Sequence, residues 1–316
     1  MAIINSVLGP LDTANLGFTL THEHLLVAAP GIYENYPELI GSKLKEQVVD
    51  GLKKAKEGGI DTIVDTTTLD LGRNIELMAY ASKESGVNII ACAGWWLDIP
   101  RFFLGVSANQ LAEVFTREIE EGISGTKIKA GLLKAASDLM GVTKKDEIML
   151  RAVARAHRRT GVPIMLHSYA PGQVARQQLS ILKEEGVAPR RVKVDHSNDT
   201  TDIEFLTWLL EQGCFLGLDR YPGRNVSPLS RTRTLKALID AGWSDRLCLS
   251  HDALLLRIIR TEEGLLPTHE EAVKINPHGF LYIKNVVFPQ LREMGISETT
   301  INNLCLVGPR KFFEGE

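Results

Sequence analysis

The stretch Thr21-His22-Glu23-His24 directly follows the apolar segment Leu16-Gly17-Phe18-Thr19-Leu20. In a β-strand, residues two positions apart point to the same face, so His22 and His24 would project together while Glu23 points away from them. Two imidazoles on one face are suited to holding a metal ion. The same stretch is also compatible with an edge strand that carries solvated histidines, and the choice between the two depends on the rest of the chain.

The composition is that of an ordinary globular protein. The 316 residues are 44% hydrophobic and 24% charged, with a formal net charge of −3, so the basic excess typical of nucleic-acid binding is absent. No apolar run reaches the roughly 18 residues of a membrane span. The four cysteines are widely spaced, and the first residues do not resemble a secretion signal. We therefore expect a reduced, cytoplasmic protein that acts on a small molecule, with neither a nucleic acid nor a membrane as partner.

Short apolar or β-branched runs alternate with amphipathic segments along the chain. Eight runs predict strands, namely Phe18 to His24, Thr62 to Asp65, Asn88 to Ala93, Ile128 to Lys134, Pro163 to His167, Val192 to His196, Phe215 to Asp219 and Leu247 to His251. The helices predicted between them include Leu44 to Glu57, Leu111 to Glu121, Ile148 to Arg159, Ile203 to Gln212 and Leu235 to Ala241. This alternation predicts an α/β fold, a (β/α)8 TIM barrel. A doubly wound open sheet uses the same alternation, but no GxGxxG motif follows the first strand.

The chain shows no internal division. It contains no low-complexity tract or linker, so we predict a single domain of residues 1–316. The longest irregular part, Ala253 to Gly279, follows the eighth predicted strand and is rich in leucine. Because long loops in compact domains are commonly functional, we predict that this segment forms a lid over the C-terminal mouth of the barrel.

Polar side chains that suit a metal site collect at the predicted strand ends, where the active site of a TIM barrel lies. They are His22, His24, Lys134, His167, His196 and Asp252. Four of the eight histidines thus terminate strands, which unrelated core histidines would seldom do. Of the others, His157 is predicted on a solvated helix face and His251 is expected to point away from the barrel interior. The remaining two, His269 and His278, fall in the predicted lid.

In these positions the sequence resembles the phosphotriesterase family of the amidohydrolase superfamily. The matching motifs are Thr21-His22-Glu23-His24, Lys129-Ala130-Gly131-Leu132-Leu133-Lys134, His167, Asp195-His196-Ser197 and Ser250-His251-Asp252. The resemblance also covers Gly17 to Leu20, Gly217 to Tyr221 and Asn302 to Phe313, so it runs nearly from end to end. It implies a barrel with a binuclear metal centre at its C-terminal face. The two divalent metals would be zinc first, with cobalt, manganese or iron as alternatives.

The resemblance further implies a role for each strand-end residue. The ligands of a buried metal would be His22, His24 and Asp252, and those of a second, more exposed metal would be His167 and His196. Lys134, N6-carboxylated by carbon dioxide, would bridge the metals together with a hydroxide, and Asp252 would take up a proton, which makes these two the expected catalytic residues. An unmodified lysine is a cation and cannot ligate, whereas a carbamate is an anion with two oxygens. Without that modification, Lys134 would be a snorkelling lysine at a strand end.

Residues of the strand-end loops are expected to select the substrate. Arg220 and Tyr221 lie in a run that resembles the lactonase branch of the family, whereas Trp96 and the segment Ile275 to Gly279 resemble the true phosphotriesterases. We predict that Trp96, Arg220 and Tyr221 bind the substrate. Trp96 could instead pack the barrel rim, and Arg220 could form a rim salt bridge.

The expected function is hydrolysis of an uncharged cyclic or aryl ester. Lactones rank first, with N-acyl homoserine lactones as one candidate among them and organophosphate triesters as promiscuous substrates. One alternative is a true phosphotriesterase (aryldialkylphosphatase), and another, of a different class, is a catalytically inactive binding protein on the same barrel. Aromatic residues in the predicted surface loops Tyr33 to Leu39 and Ile99 to Leu104 suggest a homodimer, unless they pack locally.

Overall fold

The computed structural model describes residues 2–40, 43–97, 99–103, 105–223, 225–261, 264–266, 274 and 276–316. Asp98, Leu104, His269 and Ile275, which belong to predicted loops or to the predicted lid, lie outside the described residues. Among the helices described, none combines the length and the apolar composition that crossing a membrane would need.

The strands form a small hairpin and one large sheet. β1 (Ile3–Ser6) and β2 (Gly9–Asp12) pair antiparallel. The large sheet contains β3 (Thr19–Ala28), β4 (Thr62–Asp65), β5 (Asn88–Gly94), β6 (Leu132–Ser137), β7 (Ile164–Ser168), β8 (Val192–Asp195), β9 (Phe215–Leu218), β10 (Leu247–Leu249), β11 (Leu254–Thr261) and β12 (Gly264–Leu266). Its strands are ordered β10-β9-β8-β7-β6-β5-β4-β3-β11-β12, and all neighbours are parallel except β11 and β12. All eight predicted strands are therefore present; β4 has the predicted bounds, and the bounds of the others differ by a few residues.

β10 and β11 are two parts of the eighth barrel strand, and together they close the barrel. β10 pairs with β9, whereas β11 pairs with β3 and places Leu254 opposite His24. Between the two parts, Asp252 N donates to His22 O at 3.1 Å and His24 N donates to Ala253 O at 2.9 Å. The predicted (β/α)8 barrel is confirmed.

The segment predicted as an irregular lid is regular at its start. Leu254–Thr261 continues the barrel wall as β11, which pairs antiparallel with β12. The physical reason is the edge of β3, whose unpaired backbone groups β11 satisfies. Leu255 packs against the hydrophobic core, which accounts for part of the leucine content of this segment.

Helices surround the barrel and follow the strands in sequence. They are α1 (Ile32–Asn35), α2 (Pro37–Ile40), α3 (Leu44–Glu57), α4 (Ile75–Ser85), α5 (Ala108–Glu120), α6 (Lys144–Thr160), α7 (Ala175–Glu184), α8 (Ile203–Glu211) and α9 (Pro228–Asp240). A π-helical stretch, Ile283–Val287, and three helices, Phe288–Glu293, Glu298–Asn303 and Val307–Glu314, follow. Ser107 and Thr143 form capping boxes, so α5 and α6 begin earlier than their apolar periodicity predicts.

His157 contradicts the prediction of a solvated helix face. Its residue is 9% exposed, and its Nδ1 lies 2.7 Å from Val162 O. His157 lies four residues after Val153 and therefore shares the buried face of α6, while the neighbouring Arg155 pairs with Glu185 at the surface. The arginines next to His157 in the sequence suggest a solvated helix face, although His157 itself lies on the buried face.

Apolar side chains fill the barrel beneath the strand ends. They include Ile4, Leu16, Val64, Ile90, Leu132, Met165, Phe215 and Phe312. The N-terminal hairpin and the last helix both contribute to this cluster, and Asn5 Nδ2 holds the hairpin by donating to Ala130 O at 2.9 Å. The four cysteines are buried and free. This apolar floor leaves the C-terminal ends of the strands to carry the polar groups.

Candidate metal centre

The structure brings the predicted strand-end residues together at the C-terminal mouth of the barrel. His22 and His24 project from β3, and their Nε2 atoms lie 3.3 and 3.4 Å from Asp252 Oδ1. β3 thus presents both rings on one face, as their spacing predicts. Asp252 reaches them from just after β10, where its backbone has a left-handed φ of 51°.

His167 and His196 form the other half of this cluster. His167 belongs to β7, and His196 directly follows β8 with a left-handed φ of 62°. His196 Nε2 lies 2.7 Å from His167 Nδ1. The ring centroids of His22 and His196 are 5.1 Å apart, so the two halves are neighbours across the barrel interior.

Lys134 of β6 lies near both halves. Its residue is 1% exposed, and Nζ donates to Thr66 O at 2.9 Å. Burial lowers the pKa of both His24 and His167, and the Lys134 cation lowers each pKa further. Thr66 Oγ1 lies 3.3 Å from His24 Nε2, so Thr66 links Lys134 to His24, and β6 pairs with β7, the strand that carries His167.

Carboxylates behind the cluster orient His22 and His196. His22 Nδ1 lies 2.7 Å from Asp195 Oδ2 and 2.9 Å from Asp219 Oδ2. Asp219 Oδ1 in turn lies 3.2 Å from His196 Nδ1. Because an acceptor beside one ring nitrogen favours a proton on that atom, Nε2 is the nitrogen of both rings that faces the cluster and would bind a metal.

Each of the other two histidines also has a partner at one ring nitrogen, a hydroxyl for His24 and a carboxylate for His167. His24 Nδ1 lies 2.8 Å from Thr67 Oγ1. His167 is turned the other way, with Nε2 placed 3.3 Å from Asp138 Oδ2 and Nδ1 facing His196. All four rings are thus held by one nitrogen and directed inward by the other.

Sequence reasoning does not identify these four partners. The sequence does point to Asp195 and Asp219, because each is a polar residue near the end of a predicted strand, where site residues of a barrel are expected. No sequence pattern points to Thr67 or Asp138, since they lie in the loops after β4 and β6 and contact histidines from other strands.

The charges of the cluster favour a bound cation. Burial alone would lower the pKa of His22, but the Asp252 and Asp219 carboxylates outweigh it and raise this pKa to about 9. Burial, followed by the positive charge of His196, lowers the pKa of His167 to about 3. Burial also opposes ionisation of Asp252, yet His22 and His24 hold its pKa well below the usual range. An ionised carboxylate amid imidazoles is an environment that a divalent cation stabilises.

The donor set fits divalent transition metals. Ligand atoms of His22, His196 and Asp252 all lie within 4.8 Å of one another. Imidazole nitrogen and carboxylate oxygen are donors that zinc, cobalt, manganese and iron accept. His22, Asp195 and Asp219 are equally close together, but their contacts are hydrogen bonds to His22 Nδ1 behind the cluster.

A chain of charged side chains leads from the cluster to α9. Arg220 Nε donates to Asp252 Oδ2 at 3.0 Å, and its Nη1 bonds Asp199 Oδ2. Asp199 Oδ1 accepts a 2.7 Å hydrogen bond from Nη2 of Arg231, which is buried. Arg220 therefore forms a salt bridge at the rim and contacts a candidate metal ligand with the same guanidinium.

The other two residues predicted to bind substrate differ in position. Trp96 is partly exposed, and its Nε1 donates to His167 Nδ1 at 3.3 Å while the two rings meet edge-on. Tyr221 is 1% exposed and stacks on Tyr282, with ring centroids 6.4 Å apart. Trp96 thus borders the cluster, whereas Tyr221 is packed in the interior.

Comparisons with known proteins agree with this arrangement. Residues 2–313 match the model of the phosphotriesterase family. A phosphotriesterase homology protein of Mycobacterium tuberculosis is 37% identical over 99% of this chain and 98% of that protein. An aryldialkylphosphatase of Saccharolobus solfataricus is 35% identical with 96% of each chain covered, and an N-acetyltaurine hydrolase of Xenopus tropicalis is 28% identical over 98% of this chain and 97% of that protein. Because the family match spans nearly the whole chain, this protein is a hydrolase that belongs to the phosphotriesterase family.

Proposed function

We propose that the protein is a binuclear metal-dependent hydrolase that opens lactones, with N-acyl homoserine lactones as one candidate, and that it hydrolyses organophosphate triesters as a promiscuous activity. The observation that carries this proposal is the convergence of imidazole nitrogens on a carboxylate. His22 Nε2 and His24 Nε2 both lie within 3.4 Å of Asp252 Oδ1, beside the 2.7 Å contact between His167 and His196.

The ligands divide between two metal ions. When bound, two divalent metals, zinc first among them, supply a hydroxide at neutral pH and polarise the substrate oxygen that is attacked. The ligands of one would be His22, His24 and Asp252, and those of the other would be His167 and His196. N6-carboxylated Lys134 would hold both, because a carbamate has two oxygens and because Lys134 contacts Thr66 beside His24 and lies on the strand next to that of His167.

Asp252 would take up the proton, and Arg220 would hold its carboxylate in place. Asp252 would accept it as the scissile bond breaks, in the manner of a positioned general base. Its Oδ2 accepts a hydrogen bond from Arg220 Nε, and this guanidinium adds to the effect of His22 and His24, which hold the pKa of Asp252 well below its usual range. The Arg220 side chain is 32% exposed, so it also offers hydrogen-bond donors towards the open mouth of the barrel.

Arg220 and Trp96 lie beside the cluster, and each would contact one of the two substrate classes. Arg220 would bind the ester oxygen of a lactone, which is an uncharged acceptor that a guanidinium can reach at the mouth. Trp96 would pack on an aryl leaving group, because its ring lies against His167. The similarity to an aryldialkylphosphatase supports this second class. Tyr221, which is buried next to Arg220 in the chain, would shape the pocket by holding this part of the rim.

The test compares metal-reconstituted protein on γ- and δ-lactones, homoserine lactones and paraoxon, with and without chelator. We expect the highest kcat/KM on a lactone, a smaller value on paraoxon, and loss of both with chelator or with Asp252→Asn. Asp240→Asn, at an exposed helical carboxylate, serves as the matched control. Paraoxon as the best substrate would reverse the ranking of lactones and triesters. Unchanged hydrolysis in both the chelated protein and Asp252→Asn would refute the binuclear centre, and protein without metal or activity would point to a binding protein.

The assembly and location also belong to this proposal. We infer a cytoplasmic homodimer of a single-domain chain, in which aromatic loops form the interface. Phe102 is 86% exposed and Tyr36 is 51% exposed, which leaves apolar surface for a second copy. Sedimentation analysis of the wild type and of Phe102→Ser tests this assembly, and a wild type that sediments as a monomer would contradict it.

A further inference from the structure

A second lysine lies inside the barrel, and the proposed metal centre does not use it. Lys193 of β8 has no solvent exposure, and its Nζ pairs with Asp195 Oδ1. The same Nζ lies 3.3 Å from the backbone oxygen of Thr21, the residue before His22. Lys193 and Asp195 are two residues apart on one strand, so their side chains share a face.

Asp195 connects this lysine to a candidate metal ligand. One carboxylate oxygen contacts Lys193, and the other lies 2.7 Å from His22 Nδ1. Asp219 approaches the same ring nitrogen at 2.9 Å. Two buried carboxylates would therefore meet at one N–H group, and the Lys193 cation offsets the charge of the nearer one.

A glycine in the barrel wall leaves space for this carboxylate. Gly217 of β9 faces Asp195, and a Cβ added at Gly217 would lie 2.1 Å from Asp195 Oδ1. Any side chain at this position would displace the carboxylate from its place between the lysine and the histidine. The glycine on β9 thus leaves the space in which the Asp195 carboxylate of β8 forms its ion pair with Lys193.

We propose that Lys193 and Asp195 form a positioning pair that orients His22 and thereby sets the affinity of one of the two metal sites. The inference rests on the proposed binuclear function, in which His22 belongs to the metal bound with His24 and Asp252. The pair holds the ring by Nδ1, so Nε2 is directed at Asp252 before a metal arrives. Among the described residues, neither side chain hydrogen-bonds to the His167 or His196 ring, so we expect the larger effect at the site of His22.

The experiment measures metal affinity, by chelator competition, in zinc-loaded Lys193→Met, Asp195→Asn and the double variant. Loss of a partner that orients a metal-binding histidine costs about 10- to 100-fold in affinity, and we expect this loss for one of the two metals. Anomalous diffraction from crystals of the variants identifies the site by reduced occupancy between His22, His24 and Asp252. Asp138→Asn, which releases His167 instead, should weaken the other site.

The controls separate positioning from stability. Arg73→Met breaks another buried ion pair, with Glu118, and should reduce the melting temperature without changing either metal affinity. Where Lys193→Met fails to fold, the double variant replaces it, because neutral replacement of a whole buried pair is tolerated better than removal of one partner. Wild-type affinity at both sites in the folded variants would overturn the inference. A wild-type protein that binds fewer than two metals would instead overturn the proposed function.

Discussion

The ring Nδ1 of His251 donates a 2.6 Å hydrogen bond to Glu23 Oε1, and neither side chain has any solvent exposure. The same carboxylate accepts hydrogen bonds from Ser250 Oγ at 2.7 Å and from the backbone nitrogens of His251 and Ala253 at 2.9 Å each. These groups flank Asp252, whose φ is left-handed. Glu23 therefore fastens β3 to the break in the eighth strand and holds the backbone on both sides of a candidate ligand.

Replacement of this carboxylate should weaken the barrel closure. Glu23→Gln keeps the shape but gives up an anionic acceptor of four hydrogen bonds, so we expect the free energy of unfolding to fall by about 3 kcal/mol. Urea unfolding measures this change. Glu298→Gln, in an exposed pair with Arg292, is the control and should leave the free energy of unfolding nearly unchanged. Similar losses in the two variants would contradict the role of Glu23.

Arg231 should not be replaceable by lysine. Its guanidinium donates to Val226 O, Asn198 O and Asp199 Oδ1, and an ammonium cannot reach three acceptors in that planar geometry. We expect Arg231→Lys to lower the free energy of unfolding by about 1–3 kcal/mol, since a buried acceptor is left unpaired. Calorimetry on Arg231→Lys, with Arg233→Lys on the exposed face of the same helix as control, checks this value. Equal stability of both variants would show that the planar geometry of the Arg231 guanidinium is unimportant.

Trp96 should affect catalysis through its aromatic ring. Trp96→Leu removes the ring that lies against His167, so we expect kcat/KM for an aryl ester to fall by up to about 10-fold, the value of one aromatic contact. Trp95→Phe is the control, because Trp95 is 2% exposed and packs on Phe103 and Phe115. It should lower the melting temperature and leave kcat/KM unchanged. The reverse pattern would assign the substrate contact to Trp95.

His157 should make stability depend on pH. Burial lowers its pKa from the ordinary value of 6.5, so the folded state prefers the neutral ring. The stability that this neutral ring contributes is complete above pH 6.5 and is lost as the pH falls towards the folded pKa, because the unfolded chain binds the proton first. The loss is at most about 1.4 kcal/mol per pH unit. The free energy of unfolding of the wild type and of His157→Gln is measured between pH 7 and pH 5, a range that contains the pKa of ~6.5 of histidine in the unfolded chain. Parallel curves of this free energy against pH would refute the prediction.

Local patterns were sufficient for the elements whose contacts are close in sequence. β4 and α3 have the predicted bounds, Thr62–Asp65 and Leu44–Glu57. A short β-branched run and an amphipathic period of 3.6 residues are each visible within one window of sequence. The starts of α5 and α6 differ because caps, rather than apolar spacing, decide where a helix begins.

The sequence by itself determined the barrel and indicated six metal-site candidates towards the C-terminal side of its strands, because strand direction and side-chain alternation are set locally. Only the tertiary structure decided which atoms of those residues face one another. Glu23 meets Ser250 across 227 positions of the chain, and Asp195 meets His22 across 173. Such hydrogen bonds, and the ion pair of Lys193 that accompanies them, depend on distances between strands, and no period in the sequence encodes those distances. The two imidazoles of Thr21-His22-Glu23-His24 are a local pattern, whereas their orientation results from the whole barrel.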